Sequence, residues 1–258
     1  MDTLEKICTA KRKYIQNKKK NHSYDELRDT IDQIQLPSGF LSKLRPQKGK
    51  AIIAEVKKAS PSKGIIRENF EPLAIARDYK EAGATCLSVL TDQPFFQGRD
   101  DDLVLIKQQV DISVLRKDFM IDPYQIFESR ALGADCILLI MAIIEDQMAR
   151  KLYETAIGLN MDVIVEVHNK EELDRALRLD PMIIGVNNRD LHTMEVNLDT
   201  SRELISLIPK DIFKISESGI ASADDIQALR EVGYEGFLVG ETLMREENVG
   251  AALQGLMK

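Results

Sequence analysis

The chain has 258 residues, 44% hydrophobic and 30% charged, with a formal net charge of −7. That size and balance suit one large domain with a substantial core, and the acidic excess excludes a protein that must neutralise a run of nucleic-acid phosphates. No apolar stretch approaches a membrane span and no signal-peptide core follows the basic N-terminus. The three cysteines (Cys8, Cys86, Cys136) are scattered and odd in number, so a cytoplasmic protein without membrane contact or disulfide framework is expected.

Residues 1–48 contain no strand-like run. Asp2 and Glu5 are spaced like a capping box, and Leu4, Ile7, Lys11 and Ile15 fall on one helical stripe. The basic clusters Lys11–Lys13 and Lys18–Lys20 read most simply as a solvated helix face, with attraction of an anionic substrate as the functional alternative. This segment is expected to add a helix that caps the following domain, so that residues 1–258 form one domain.

From residue 51 onward, short β-branched apolar runs recur. They are Ala51–Val56, Cys86–Thr91, Ile112–Arg116, Cys136–Met141, Asp162–Val167, Met182–Asn187, Ile212–Glu217 and Gly236–Gly240. Runs this short and this continuously apolar suit parallel strands buried on both faces. Helical segments lie between them. Pro72 opens one in which Leu73, Ala76, Tyr79 and Ala82 share a face, Pro123 opens another, and a third runs over Ala223–Val232. Gly83, Gly133 and Gly233 end these segments just before the next strand. Eight strand–helix units without a Gly-x-Gly-x-x-Gly after the first strand favour a (β/α)₈ barrel over an open doubly wound sheet.

In such a barrel the active site forms where strands end. Polar residues at these ends are Glu55 and Lys57, Lys117, Glu166, then Asn187, Asn188 and Arg189, and finally Glu217, Ser218 and Gly219. Charges that end apolar strands are costly unless they share a polar cavity. Alternation puts Ile53, Glu55 and Lys57 on one face, with the two charged residues' Cα atoms roughly 6–7 Å apart. A structural ion pair is the simpler reading of Glu55 and Lys57, but a second set in Lys117 and Glu166 points to acid–base work. Glycines at Ser218-Gly219 and Gly240, and the hydroxyls of Ser60-Pro61-Ser62, could let backbone N–H groups approach a phosphate. Phe95, Phe96 and Phe119 could wall a slot for a ring. The histidines (His22, His168, His192) have no metal-ligand spacing, so no metal site is expected.

Read in order, the segments Ile53–Gly64, Phe95–Gly98, Leu115–Ile126, Val165–His168, Gly185–Leu191, Ile215–Ile220 and Leu238–Met244 closely resemble the indole-3-glycerol phosphate synthase family. The resemblance spans the chain, including its N-terminal extension. It implies a TIM barrel that needs no cofactor and closes a ring in tryptophan biosynthesis. The substrate would be the phosphorylated small molecule 1-(2-carboxyphenylamino)-1-deoxyribulose 5-phosphate, converted to indole-3-glycerol phosphate, carbon dioxide and water. Other enzymes of that pathway are candidate partners.

By the same resemblance, Lys117 is the general acid on the ribulose carbonyl. Lys57 binds the carboxylate that is lost and is a candidate acid for the dehydration. Glu166 is a base, Glu55 orients the lysines, and Asn187 and Arg189 surround the substrate. Ser60, Ser218, Gly219 and Gly240 match the phosphate site and Phe96, Phe119 and Leu191 the ring pocket, with Glu217 a further substrate-binding candidate. Glu241 stands where a serine often follows the strand-eight glycine; its carboxylate would repel phosphate, leaving only the backbone N–H to contribute. Lys117, ringed by strand residues near another cation, is expected to have a depressed pKa. The alternatives are another phosphate-binding barrel, such as phosphoribosylanthranilate isomerase or a Schiff-base aldolase, and a non-catalytic phospholigand-binding barrel.

Overall fold

Among residues 3–258, which the computed structural model describes, eight parallel strands close into a barrel in chain order. They are β1 (Ala51–Val56), β2 (Cys86–Leu90), β3 (Val114–Lys117), β4 (Cys136–Ile140), β5 (Asp162–Val167), β6 (Ile183–Asn187), β7 (Phe213–Glu217) and β8 (Gly236–Val239). β8 returns to pair with β1, Ala51 opposite Gly236, which closes the ring. With helices between the strands this is a TIM barrel. Seven of the expected runs begin and end within a residue of the observed strands. The third does not: Ile112 sits in a bend, its N–H donating to the Val110 carbonyl, and pairing begins only at Val114.

Strand pleating divides the core into two layers. Residues of one parity, such as Ile52, Ala54, Val56, Leu87, Val89, Val163 and Val165, face the surrounding helices. The other parity, including Ala51, Ile53, Leu115, Leu138, Ile164, Ile215 and Leu238, fills the barrel interior. Continuing the inner parity to the strand ends gives Glu55, Lys117, Glu166, Asn187 and Glu217. The barrel is thus apolar to just below its mouth and charged at the mouth itself. Gly83, Gly133 and Gly233 take positive φ after their helices, the left-handed turn that sends the chain into the next strand.

The described part of the N-terminal extension holds three α-helices, not one helix: α1 (Thr3–Asn21), α2 (Tyr24–Gln33) and α3 (Phe40–Leu44), the last running into a 3₁₀ turn at Arg45–Gln47. The capping box expected at Asp2 lies outside the described residues. Leu4 and Ile7 of α1 pack with the interior layer near the mouth. In α2, Leu27 buries against Tyr124, and the Tyr24 ring meets Tyr124 and Phe127 edge-on at 5.4 Å. α3 plugs the opposite end with Phe40 and Leu44 fully buried. There the Leu41 N–H donates to Asp162 (2.9 Å), and the Ser38 N–H (2.7 Å) and hydroxyl (2.9 Å) donate to Asp135. These aspartates sit at the feet of the strands, so the extension grips both ends of the barrel.

The basic clusters are not simply a solvated face. Lys11 is only 3% exposed, its Nζ 2.8 Å from Asp92 and 2.6 Å from Asp118. Lys18 reaches Asp100 at 2.9 Å and Glu128 at 3.3 Å. Arg116, on the outer parity of β3 and fully buried, joins the same network through Asp100 (2.9 Å) and Glu128 (2.8 Å). Lys13 and Lys20 do face solvent. The hydrophobic stripe of α1 explains this outcome, because Lys11 lies on it between Ile7 and Ile15.

Candidate active site

A cavity of about 660 Å³ opens at the C-terminal ends of the strands. Glu55, Lys57, Lys117, Glu166, Asn187, Phe96, Phe119, Arg189, Leu191, Ser218, Gly219, Gly240 and Glu241 all line it. Residues scattered over 187 positions of sequence therefore meet at one mouth, through strand parity and the turns that follow each strand. Two expected residues do not line this cavity. Ser60 sits on a short hairpin (Ala59–Ser60 with Gly64–Ile65) and borders a smaller adjoining space with Leu4 and Ile7. Glu217 lies beneath the floor and reaches the cavity only through Lys117.

The polar centre has two lysine–carboxylate groups. Lys57 Nζ donates to Glu55 Oε1 at 2.5 Å. Lys117 Nζ donates to Glu217 Oε2 at 2.9 Å and lies 3.5 Å from Glu166 Oε2. Neighbouring glycines make room for two of these carboxylates. A Cβ on Gly240 would collide with the Glu55 carboxylate, and one on Gly185 with that of Glu217. Gly185 is the register partner of Glu166, and Asn187 that of Glu217, so β5, β6 and β7 set three polar groups side by side.

These contacts overturn the expected pKa of Lys117. Burial pulls it down, but Glu217, Glu166 and Glu55 together more than compensate and raise it above its ordinary 10.5. The cation that was expected to depress it, Lys57, is neutralised by Glu55. Glu55 itself is held below its ordinary value: burial opposes ionisation, and Lys57 and Lys117 outweigh it. Glu166 and Glu217 share Lys117 and titrate together. Burial and the charge of Glu166 raise Glu217, whereas Lys117, His168 and Asn187 hold Glu166 low against its own burial. Glu217 Oε1 is buried without a hydrogen-bond partner, so the carboxylate is satisfied only at Oε2, by Lys117.

One side of the cavity is apolar. Phe96 and Phe119 tilt against each other with centroids 6.0 Å apart, and Leu191 packs beside them. The opposite side is built from turns. Ser218 (φ 65°) and Gly219 (φ 79°) both adopt left-handed backbone, a strained state for serine. Asn188 fixes it, its amide donating to the Glu217 (3.0 Å) and Ser218 (3.1 Å) carbonyls. Gly240 is followed at once by a short helix, Glu241–Met244. The helix after Gly219 begins only at Ala223, behind its cap Ser222.

Glu241 is not aimed freely at the cavity. Its carboxylate pairs with Arg189 (3.3 Å) and Arg245 (2.7 Å), so its charge is offset on both oxygens. Arg245 and Lys63 also line the mouth; neither ends a strand, and strand-end reasoning passed over both. His168 was passed over for a different reason, having been weighed only as a metal ligand. It follows Glu166 by two residues, so parity alone places it beside that carboxylate.

The indole-3-glycerol phosphate synthase family profile matches residues 4–256. An indole-3-glycerol phosphate synthase of Azospirillum brasilense is 50% identical over 259 aligned residues, covering 99% of both chains. One from Zymomonas mobilis subsp. pomaceae is 47% identical, covering 98% of this chain and 97% of that protein. Among solved structures, 3-hexulose-6-phosphate synthase from Salmonella typhimurium superposes with a TM-score of 0.66 at 10% identity, covering 80% of this chain and 96% of that one. Thiamine phosphate pyrophosphorylase from Pyrococcus furiosus gives 0.60 at 16%, covering 82% and 95%. The structural likenesses carry the barrel fold alone. With a profile match along nearly its whole length and relatives at half identity, the chain belongs to the indole-3-glycerol phosphate synthase family.

Proposed function

We propose that the cavity at the barrel mouth converts 1-(2-carboxyphenylamino)-1-deoxyribulose 5-phosphate to indole-3-glycerol phosphate, the ring-closing step of tryptophan biosynthesis. The observation that carries this reading is the pair of lysine–carboxylate groups lying between an apolar aromatic wall and a glycine-bearing turn. A substrate with an aryl ring at one end and a phosphate at the other spans that arrangement. The carbon to be attacked then lies over the lysines.

In this reading Phe96, Phe119 and Leu191 hold the carboxyphenyl ring. The backbone N–H groups around Ser218, Gly219 and Gly240 receive the phosphate, with Ser60 at the edge. Lys57 pairs with the carboxylate, and Arg189 and Asn187 flank the sugar chain. As the aryl carbon attacks the ribulose carbonyl, negative charge grows on its oxygen and Lys117 protonates it. A firmly held ammonium is suited to this, because an alkoxide is basic enough to take its proton. Carbon dioxide leaves with its bonding electrons left to the ring, which regains aromaticity. Loss of the new hydroxyl as water, with a ring-system proton passing to Glu166, completes the indole. Lys57, released from the departing carboxylate, is placed to protonate that hydroxyl, and Glu55 keeps it oriented. Positioning the flexible chain against the ring is the other large contribution.

The same electrostatics speak against a Schiff-base aldolase. An amine held as ammonium by three carboxylates is not a nucleophile at neutral pH. Residues 1–48 belong, on this proposal, to one working domain with the barrel, since α1 borders the cavity. The family is biosynthetic, and among the described residues no helix is long and apolar enough to cross a membrane. We place the protein in the cytoplasm, where other enzymes of tryptophan biosynthesis would be its neighbours.

The test is direct. Purified protein incubated with the carboxyphenylamino substrate should develop indole fluorescence, and the chain's lack of tryptophan leaves that signal free of protein background. No fluorescence and no carbon dioxide release from active-folded protein would refute the assignment.

A further inference from the structure

We infer that His168 is a positioning residue for this reaction, an imidazolium clamped by Glu172 that holds Glu166 ionised and aimed at Lys117. The inference rests on the reading of Glu166 as the working base.

Its geometry is specific. Glu166 closes the inner parity of β5, and His168 stands two residues further along the same chain. Glu166 presents Oε2 to Lys117 (3.5 Å) and Oε1 to His168 Nε2 (3.3 Å), one cation for each oxygen. On its far side, His168 Nδ1 donates to Glu172 Oε2 at 2.9 Å. The same Glu172 oxygen also accepts the backbone N–H of His168 at 2.9 Å, so both ends of the residue are pinned to one carboxylate. Glu172 is fixed in turn. It sits in the first turn of helix Lys170–Leu177, where its N–H donates to the Asn169 side chain (2.9 Å) and its Oε1 accepts from the Asn169 amide (2.8 Å).

The series Glu172–His168–Glu166–Lys117–Glu217 therefore alternates in sign from the helix edge to the centre of the cavity. With a carboxylate facing each ring nitrogen the cationic form is favoured, because only then does each nitrogen carry a proton toward a negative charge. His168 Nε2 is buried and has no aligned hydrogen bond of its own, so the ion pair with Glu166 is its one use. The charged groups near the ring are Glu166 from β5, Glu172 from helix Lys170–Leu177 and, more remotely, Asp190 from the loop after β6, which is held low mainly by the Thr193 and His192 N–H groups and only slightly by the imidazole. Burial opposes the cation, but Glu166 and Glu172 outweigh it and raise His168 to about 10.

What the clamp does follows from the shared site. Glu166 and Glu217 divide one lysine between them, and without a second cation the pair would keep its proton to higher pH. A base that is already protonated cannot accept one from the ring system. His168 supplies that second cation from outside the substrate cavity, where it does not compete for phosphate or carboxylate.

The test is the pH profile of His168→Gln, which keeps hydrogen-bonding capacity and loses charge. The acid limb of kcat should move up by roughly one pH unit, so that kcat falls about tenfold on that limb and much less at alkaline pH, with KM little altered. Glu172→Gln should move the limb in the same direction by less. A loss of kcat equal at every pH, or an unmoved limb, overturns the inference. Independently of activity, ¹⁵N spectra of the three histidines should show one imidazole doubly protonated at pH 8, and Glu172→Gln should lower the pH at which it titrates. Three neutral imidazoles at pH 8 also overturn it. Glu166→Gln separates the two readings: near-normal kcat there removes Glu166 as base, whereas an inactive Glu166→Gln beside an unshifted His168→Gln refutes the clamp alone.

Discussion

Substituting Lys11 by methionine keeps the length of a buried side chain and removes only its charge. Two buried carboxylates then lose the cation they share at 2.6 and 2.8 Å. Asp118 retains the Thr91 hydroxyl (2.7 Å), the Phe119 N–H (2.7 Å) and Arg116 at 3.7 Å. Asp92 retains the Phe95 N–H at 3.0 Å. Asp92 is also the group that burial already holds above its ordinary 3.8 despite Lys11. It is therefore the one that takes up a proton in the variant. Protonating a carboxylate of ordinary pKa at pH 7 costs about 4 kcal/mol, which caps the damage and agrees with roughly 3–5 kcal/mol for breaking a buried pair. The folded variant binds a proton that the unfolded chain does not, so its stability relative to the parent rises as pH falls. At pH 5 the deficit should shrink to about 1.5 kcal/mol. Urea unfolding of both proteins, followed by far-ultraviolet circular dichroism at pH 7 and pH 5, measures this difference. A deficit under about 1 kcal/mol at pH 7, or one equal at both pH values, would refute the argument.

Other expectations concern the cavity. Lys117→Ala should lower kcat by about a thousandfold or more while substrate binding stays measurable, as expected for loss of the general acid; near-normal turnover would remove Lys117 from the chemistry. Gly240→Ala puts a methyl group where the Glu55 carboxylate lies, so kcat should drop at least tenfold (roughly the value of one misplaced orienting group) in a protein whose circular dichroism is unchanged. Glu166, the base, is held below the ordinary glutamate value of 4.5, its burial being outweighed by Lys117, His168 and Asn187, so the acid limb of kcat should lie below that value. Glu217→Gln should move that limb to lower pH, because Glu166 then has Lys117 to itself. Glu241→Gln removes a negative charge beside Arg189 and Arg245, so KM should fall severalfold at low ionic strength and the advantage should fade as salt is added.

The barrel and its polar mouth were legible because both depend on local period. Apolar runs such as Asp162–Val167 coincide with strands, and the two-residue alternation that buries Ile53 and Ile164 carries on to Glu55 and Glu166. The third run was misjudged because Ile112 is apolar yet spent in a bend, a feature that composition does not mark. What period cannot show is pairing between distant residues. Lys11 looked solvated because nothing nearby in sequence answers its charge; its partners lie at Asp92 and Asp118. The pKa of Lys117 was misread for the same reason. A neighbouring lysine was in view, and so was Glu55 that neutralises it, but the carboxylate from β7 beneath Lys117 met it only in three dimensions. The role of Glu241 likewise depended on Arg245, one turn further along at the end of the short helix, a pairing that strand ends do not mark.

The grip of the extension on both ends of the barrel has a consequence for biogenesis. Residues 3–47 leave the ribosome before the strands do, and their anchors follow much later: Asp118 for Lys11, Asp135 for Ser38 and Asp162 for Leu41. Until β5 has been made, the apolar stripe of α1 and the plug of α3 lack the anchors they close upon. They must remain exposed, or be shielded by a chaperone, while the strands accumulate. A segment made before the barrel is thus among the last to settle, and a nascent chain arrested before β5 should remain open to protease within α1 and α3.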